Sequence, residues 1–133
     1  MNQSLLSTAL LSLLLVFFMV GRVWAKPTSK FRYQLVTQTE QGTRELYSLE
    51  RTAQGYHLNK LQLPAERLVQ YPAPLKEIYR VVAKRSEASC PAGVYRYTAF
   101  RNGKIQRREN GCLTDPRFAN LTQAFGVLSG ERQ

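Results

Sequence analysis

VYRYTAFRNGKIQRREN, Val94 to Asn110, places Asn102 and Gly103 between two runs that carry aromatic and β-branched residues. Asn-Gly tolerates the positive φ that both central positions of a type I′ turn require, and that turn matches the twist of the strands it joins. The stretch predicts a hairpin of residues 94–100 against 105–110. Pairing Arg101 with Lys104 would set Phe100 opposite Ile105, Tyr97 opposite Arg108 and Arg96 opposite Glu109. The alternation sends Tyr95, Tyr97 and Ala99 to a core, and Arg96, Thr98 and Arg107 to water or a partner. Cys90 precedes the first strand and Cys112 follows the second, so a disulfide between them would clamp the hairpin at the end opposite its turn.

Upstream, Phe31, Tyr33 and Leu35 alternate with Arg32, Gln34 and Val36 at the period of a half-buried strand, and Glu40, Gln41 and Gly42 offer a turn. A second strand over residues 44–52 carries Leu46, Tyr47 and Leu49. After Gln54 and Gly55, a third carries Tyr56, Leu58, Leu61 and Leu63, ended by Pro64. These strands predict an antiparallel meander whose hydrophobic alternation is too irregular to set a register. Residues 64–74 read as a connection: 65–69 could form a helical turn, while Pro72 and Pro74 restrict what surrounds them. Leu75, Ile78, Tyr79 and Val82 fall at i, i+3, i+4 and i+7, which predicts an amphipathic helix with Pro74 in its first turn. Lys84 and Arg85 would stand at its C-terminal end, where cations suit the helix dipole. In the last element Asp115 is an N-cap candidate, Pro116 suits the first helical position, and Phe118, Leu121, Phe125 and Leu128 form the apolar stripe before Gly130. The expected class is α+β: a small antiparallel sheet of about five strands, two short helices on one face, and one disulfide.

The first residues differ in character from the rest of the chain. Leu5 to Val20 is apolar except for Ser7, Thr8 and Ser12. That run is shorter than the roughly 20 residues a membrane helix needs. Gly21 and Arg22 end it, and Val23 and Ala25 occupy the positions a signal peptidase reads, with cleavage before Lys26. Residues 1–25 are therefore expected to be a signal peptide and 26–133 a single domain, exported to a periplasmic or extracellular compartment. Retention of the segment as an anchor is the other reading. The two cysteines agree with export, because an even count in an oxidising compartment favours a disulfide.

The residues offer little to catalysis. One histidine, His57, two paired cysteines and nine scattered carboxylates leave few metal ligands. No Ser lies in a nucleophile elbow and no Gly-rich phosphate loop occurs. Glu45 with Glu50, or Glu66 with Glu77, has no spacing that separates it from solvated surface charge. We therefore expect no enzyme activity, no metal and no cofactor. Asn120, Leu121 and Thr122 match the glycosylation acceptor pattern, which matters only in a eukaryotic secretory pathway.

Charge is the strongest functional signal. The net charge is +10, or +9 once Arg22 leaves with the first 25 residues, which favours anionic partners. Arg101 and Lys104 at the hairpin tip, with Arg96, Arg107 and Arg108 beside them, form the candidate binding surface. The expectation is a non-enzymatic exported binding domain, a small inhibitor or accessory protein that docks this hairpin on another extracytoplasmic protein. The alternatives are a binder of an anionic envelope component (lipopolysaccharide, phospholipid or cell-wall polymer) and a structural component of an envelope assembly. Nucleic acid fits poorly, because Tyr95 and Tyr97 serve a core better than a base-stacking platform.

A hairpin carrying Tyr95, Tyr97, Phe100 and Gly103, followed by a helix after Asp115 and Pro116, resembles the C-terminal part of emfourin-type small metalloprotease inhibitors. The resemblance covers about a quarter of the chain, residues 93–128. It implies a protease as one class of partner and carries over no inhibitory residue; the disulfide and the apolar leader depart from that family's pattern.

Overall fold

The computed structural model of the chain describes residues 29–85 and 89–130, so the expected signal peptide lies outside the described residues. Six strands follow the order β4-β3-β2-β1-β5-β6, each antiparallel to its neighbours. They are β1 (Phe31–Thr39), β2 (Gly42–Thr52), β3 (Gly55–Leu58), β4 (Leu61–Leu63), β5 (Val94–Arg101) and β6 (Lys104–Cys112). Three helices, α1 (Ala65–Gln70), α2 (Pro72–Tyr79) and α3 (Pro116–Ser129), complete an α+β fold closed by the Cys90–Cys112 disulfide.

The sheet has six strands rather than about five because Asn59 and Lys60 take φ values of 52° and 70°, folding the expected third strand back on itself. Asn adopts that left-handed region readily and Lys seldom does, so no Gly announces this turn. The third helix, α1, occupies part of the expected connection. Arg67 Nε fastens it by donating to the Leu128 carbonyl at 3.2 Å.

Helix α2 starts at Pro72, whose missing N–H is no loss in a first turn, and stops at Tyr79. Val82 is therefore outside the helix, and Lys84 and Arg85 do not stand at a helix end. Arg80 is extended, and the chain then runs beside β6, where Lys84 bridges Glu109 in parallel and accepts the Asn110 N–H at 3.0 Å. This strap covers the edge of β6, whose backbone groups would otherwise be open to another strand.

Two bulges set the register. Leu35 pairs with Tyr47 and Val36 with Glu45, so Leu46 is extra. Leu46 and Tyr47 both join the core, which accounts for the irregular alternation in the sequence. In the β5–β6 hairpin Phe100 opposes Ile105 as expected, but Ala99 then opposes Arg107 and Gln106 is skipped. Tyr97 consequently opposes Glu109, not Arg108, and Arg96 opposes Asn110. A one-residue slip moves side chains to the other face, so Arg107 and Glu109 lie on the helix side and Arg108 on the open side.

All three helices pack on one face. Leu35, Leu49, Tyr95 and Tyr97 from the sheet meet Ile78, Leu121, Phe125 and Leu128 from the helices, all fully buried. Tyr47 stacks on Phe125 with ring centres 5.0 Å apart, and the Tyr97 hydroxyl donates to the Ile78 carbonyl at 2.5 Å. Helix α3 keeps its expected stripe and ends at Gly130, whose φ of 82° suits glycine. Asp115 sits at the N-cap position, but its carboxylate accepts the Cys112 N–H at 3.1 Å instead of a helix amide.

Candidate functional site

The face of the sheet opposite the helices is uncovered by them. The pleat places Arg32, Gln34 and Val36 of β1, Arg96, Thr98 and Phe100 of β5, and Ile105, Arg108 and Asn110 of β6 on it. Thr98, between Gln34 and Arg108 in register, is buried. Around it the surface is apolar and cationic together: the Arg32 guanidinium lies 4.3 Å from the Phe100 ring centre, and Ile105 is 53% exposed. A guanidinium over an aromatic face remains available to an anion on its outer edge.

Along the β6 edge this face meets a cleft of about 450 Å³ lined by Ala83, Lys84, Arg85, Arg108 and Asn110. Asn110 is the cross-strand partner of Arg96, so cleft and face are continuous. Lys84 Nζ lies 3.8 Å from Asp115 Oδ2, while no ion pair among the described residues engages Arg96 or Arg108. The cleft is suited to a carboxylate or another small anionic group.

The five cations expected to form one surface are divided. Arg96 and Arg108 share the open face. Arg101 and Lys104 stand at the turn on the helix side, in register with Phe31. Arg107, expected to face a partner with Arg96, instead faces the helix side, and its Nη1 donates to the Val81 carbonyl at 3.3 Å. The bulge at Gln106 is the cause. Sequence reasoning missed Arg32, Lys84 and Arg85. Strand alternation offered a signal for Arg32, whereas Lys84 and Arg85 were hidden by a periodicity that overran the real helix.

A buried charge network holds the strap that forms the cleft. Glu109, fully buried, accepts from the Tyr95 hydroxyl at 2.5 Å, the Val82 N–H at 3.0 Å and Arg117 Nε at 3.1 Å. Arg117 also donates to Glu77 Oε1 at 2.5 Å and to the Arg80 carbonyl. Burial would raise the Glu77 carboxyl, but hydrogen bonds from Arg80 and Arg117 outweigh it and hold the group below the ordinary carboxylate range. Burial and the Glu109 hydrogen bond push the Tyr95 phenol well up. Protein donors occupy both Glu109 oxygens, so the network joins β6, the strap, α2 and α3 rather than presenting an acid–base pair to a substrate.

His57 lies on the open side of β3 between Glu50 and Gln62, with its Nδ1 buried and unpartnered. Asn120 is exposed on α3. Among the described residues no group of three His, Cys, Asp or Glu stands close enough to hold a metal ion, and no helix is long and apolar enough to cross a membrane. No protein-family model, curated protein or solved structure matches the chain.

Proposed function

We propose that the chain is a non-enzymatic exported binding domain that docks the open face of its sheet on an acidic surface of another extracytoplasmic protein. One observation carries this reading: the cleft lined by Lys84, Arg85 and Arg108 runs into an open face where Arg96 and Arg32 flank Phe100 and Ile105. An apolar centre ringed by cations matches the anatomy of a protein interface, where desolvated anchors supply affinity and rim charges supply specificity. The likeness of residues 93–128 to emfourin-type inhibitors makes a protease one class of partner.

The test is capture from the host's extracytoplasmic fraction with the wild-type chain and with Arg96→Glu/Arg108→Glu, at low and moderate ionic strength. Both side chains are exposed, so the reversal leaves the fold in place. A protein partner is retained by the wild type at moderate salt and lost from the double variant. Binding by the wild type that vanishes at moderate salt would assign the surface to an anionic polymer instead. Equal capture by both chains would refute the reading.

A further inference from the structure

The described chain enters the fold at the end of the sheet that carries the Asn102–Gly103 turn. There the Lys30 N–H donates to the Arg51 carbonyl at 2.8 Å and the Asn102 N–H to the Lys30 carbonyl at 3.1 Å. On the helix side of that end, Tyr56, Arg51, Phe31, Arg101 and Lys104 stand in one row across β3, β2, β1, β5 and β6. The Phe31 ring centre lies 5.6 Å from that of Tyr33, 6.1 Å from Tyr56 and 5.9 Å from Tyr79. Arg51 stands 5.3 Å from the Tyr56 ring centre. The cations of the row are exposed and the rings half-buried, with Tyr79 at 41% exposure.

From Tyr79 the apolar surface continues along α2 into an open trough of about 620 Å³, lined by Leu75, Pro72 and Val69 with Lys76 and Arg80 at its rim. Val69 is 81% exposed. Rings with polar tips, an exposed aliphatic trough and cations on long stems suit the boundary between lipid headgroups and acyl chains.

We infer that this end of the domain is a docking surface for an anionic phospholipid bilayer. Two observations favour lipid over a protein partner. The sequence joins the apolar run Leu5 to Val20 to Lys30 through the nine residues 21–29, so that Val20 and Lys30 stand at most about 35 Å apart along an extended chain. While that run remains attached in a membrane, this end of the domain is the one delivered to the bilayer. The row also presents Arg51, Arg101 and Lys104 with Lys30 beside them, complementary to anionic headgroups. One weak anchor holds reversibly and two together hold firmly, so the surface adds to the apolar segment before cleavage and acts alone after it. The inference uses residues disjoint from the open face, and either surface can fail without the other.

The test is amide hydrogen exchange of the full chain titrated with vesicles of phosphatidylcholine mixed with phosphatidylglycerol, and with vesicles of phosphatidylcholine alone. Exchange should slow at residues 51–56, 75–80 and 101–104 on the mixed vesicles only. Arg51→Gln/Arg101→Gln should raise the lipid concentration needed for half-protection about thirty-fold. Arg96→Gln/Arg108→Gln should leave it unchanged. Equal protection on phosphatidylcholine alone would mean that the apolar segment does the holding, and an equal loss in both double variants would mean unspecific charge. Either result overturns the inference, as does protection confined to β5 and β6 away from their turn.

Discussion

Replacing Arg117 by Met leaves Glu109 as a buried carboxylate with no cation. Glu109 has no exposed surface, and its remaining donors would be the Tyr95 hydroxyl at 2.5 Å and the Val82 N–H at 3.0 Å. Those two neutral donors solvate the charge without cancelling it. Removing one partner of a buried pair costs about 3 to 5 kcal/mol, a large part of the roughly 5 to 15 kcal/mol by which a domain is stable. The Arg117 side chain is 10% exposed, so water offers little relief. The added change Glu109→Gln deletes the stranded charge, keeps a carbonyl oxygen to accept the Val82 N–H and sets an amide N–H against the Tyr95 hydroxyl, whose oxygen can accept it, and should return at least about 1 kcal/mol of the loss. Urea denaturation of the wild type and both variants measures these differences as midpoint shifts at constant slope. A loss below about 1 kcal/mol in Arg117→Met, or a double variant weaker than the single, would refute the claim that this ion pair holds the strap to β6.

Other outcomes follow from the same geometry. Replacing Cys90 and Cys112 by Ser should lower stability by about 3 kcal/mol, since the bond closes a 22-residue separation; chemical denaturation of both forms checks it. Gly111→Ala should destabilise through crowding, because a Cβ there would stand 2.5 Å from the Tyr95 ring and 2.7 Å from Asp115 Oδ2, and neither group is free to retreat. A fall in melting temperature of several degrees is expected. Glu77 is held below its unfolded value, so its contribution is full above the ordinary carboxylate range and is lost as pH falls through its folded pKa. On the alkaline side burial raises Tyr79 to about 12, so its contribution is full below about pH 10 and is lost as pH rises toward that folded value. Thermal melts across acid and alkaline pH read both limbs.

The sequence disclosed most where local chemistry dictates geometry. Asn102 with Gly103 marked the hairpin, Cys90 with Cys112 its clamp, and Asp115, Pro116 and Gly130 the bounds of α3. It disclosed less where tertiary contacts decide. Leu75, Ile78, Tyr79 and Val82 keep helical spacing, yet the chain leaves the helix after Tyr79 because the Val82 N–H is claimed by Glu109 and the Lys84 carbonyl by Asn110. Bulges are similarly silent: nothing in Gln106 itself says that it will be skipped, and that one residue sends Arg107 to the helix side. The candidate site was therefore half legible. Arg96 could be read from the hairpin, whereas Arg108, expected opposite Tyr97, reaches the open face through the bulge at Gln106, and Lys84 and Arg85 arrive on a strap that only the folded charge network positions.

The open sheet face is proposed to meet the partner. Hydroxyl-radical footprinting of the chain, alone and with the captured partner, reads it directly at Phe100 and Ile105, with Tyr79 on the helix side as the internal reference. The partner should slow oxidation of Phe100 and Ile105 several-fold and leave Tyr79 unchanged. Protection at Tyr79 with none at Phe100 and Ile105 would contradict it.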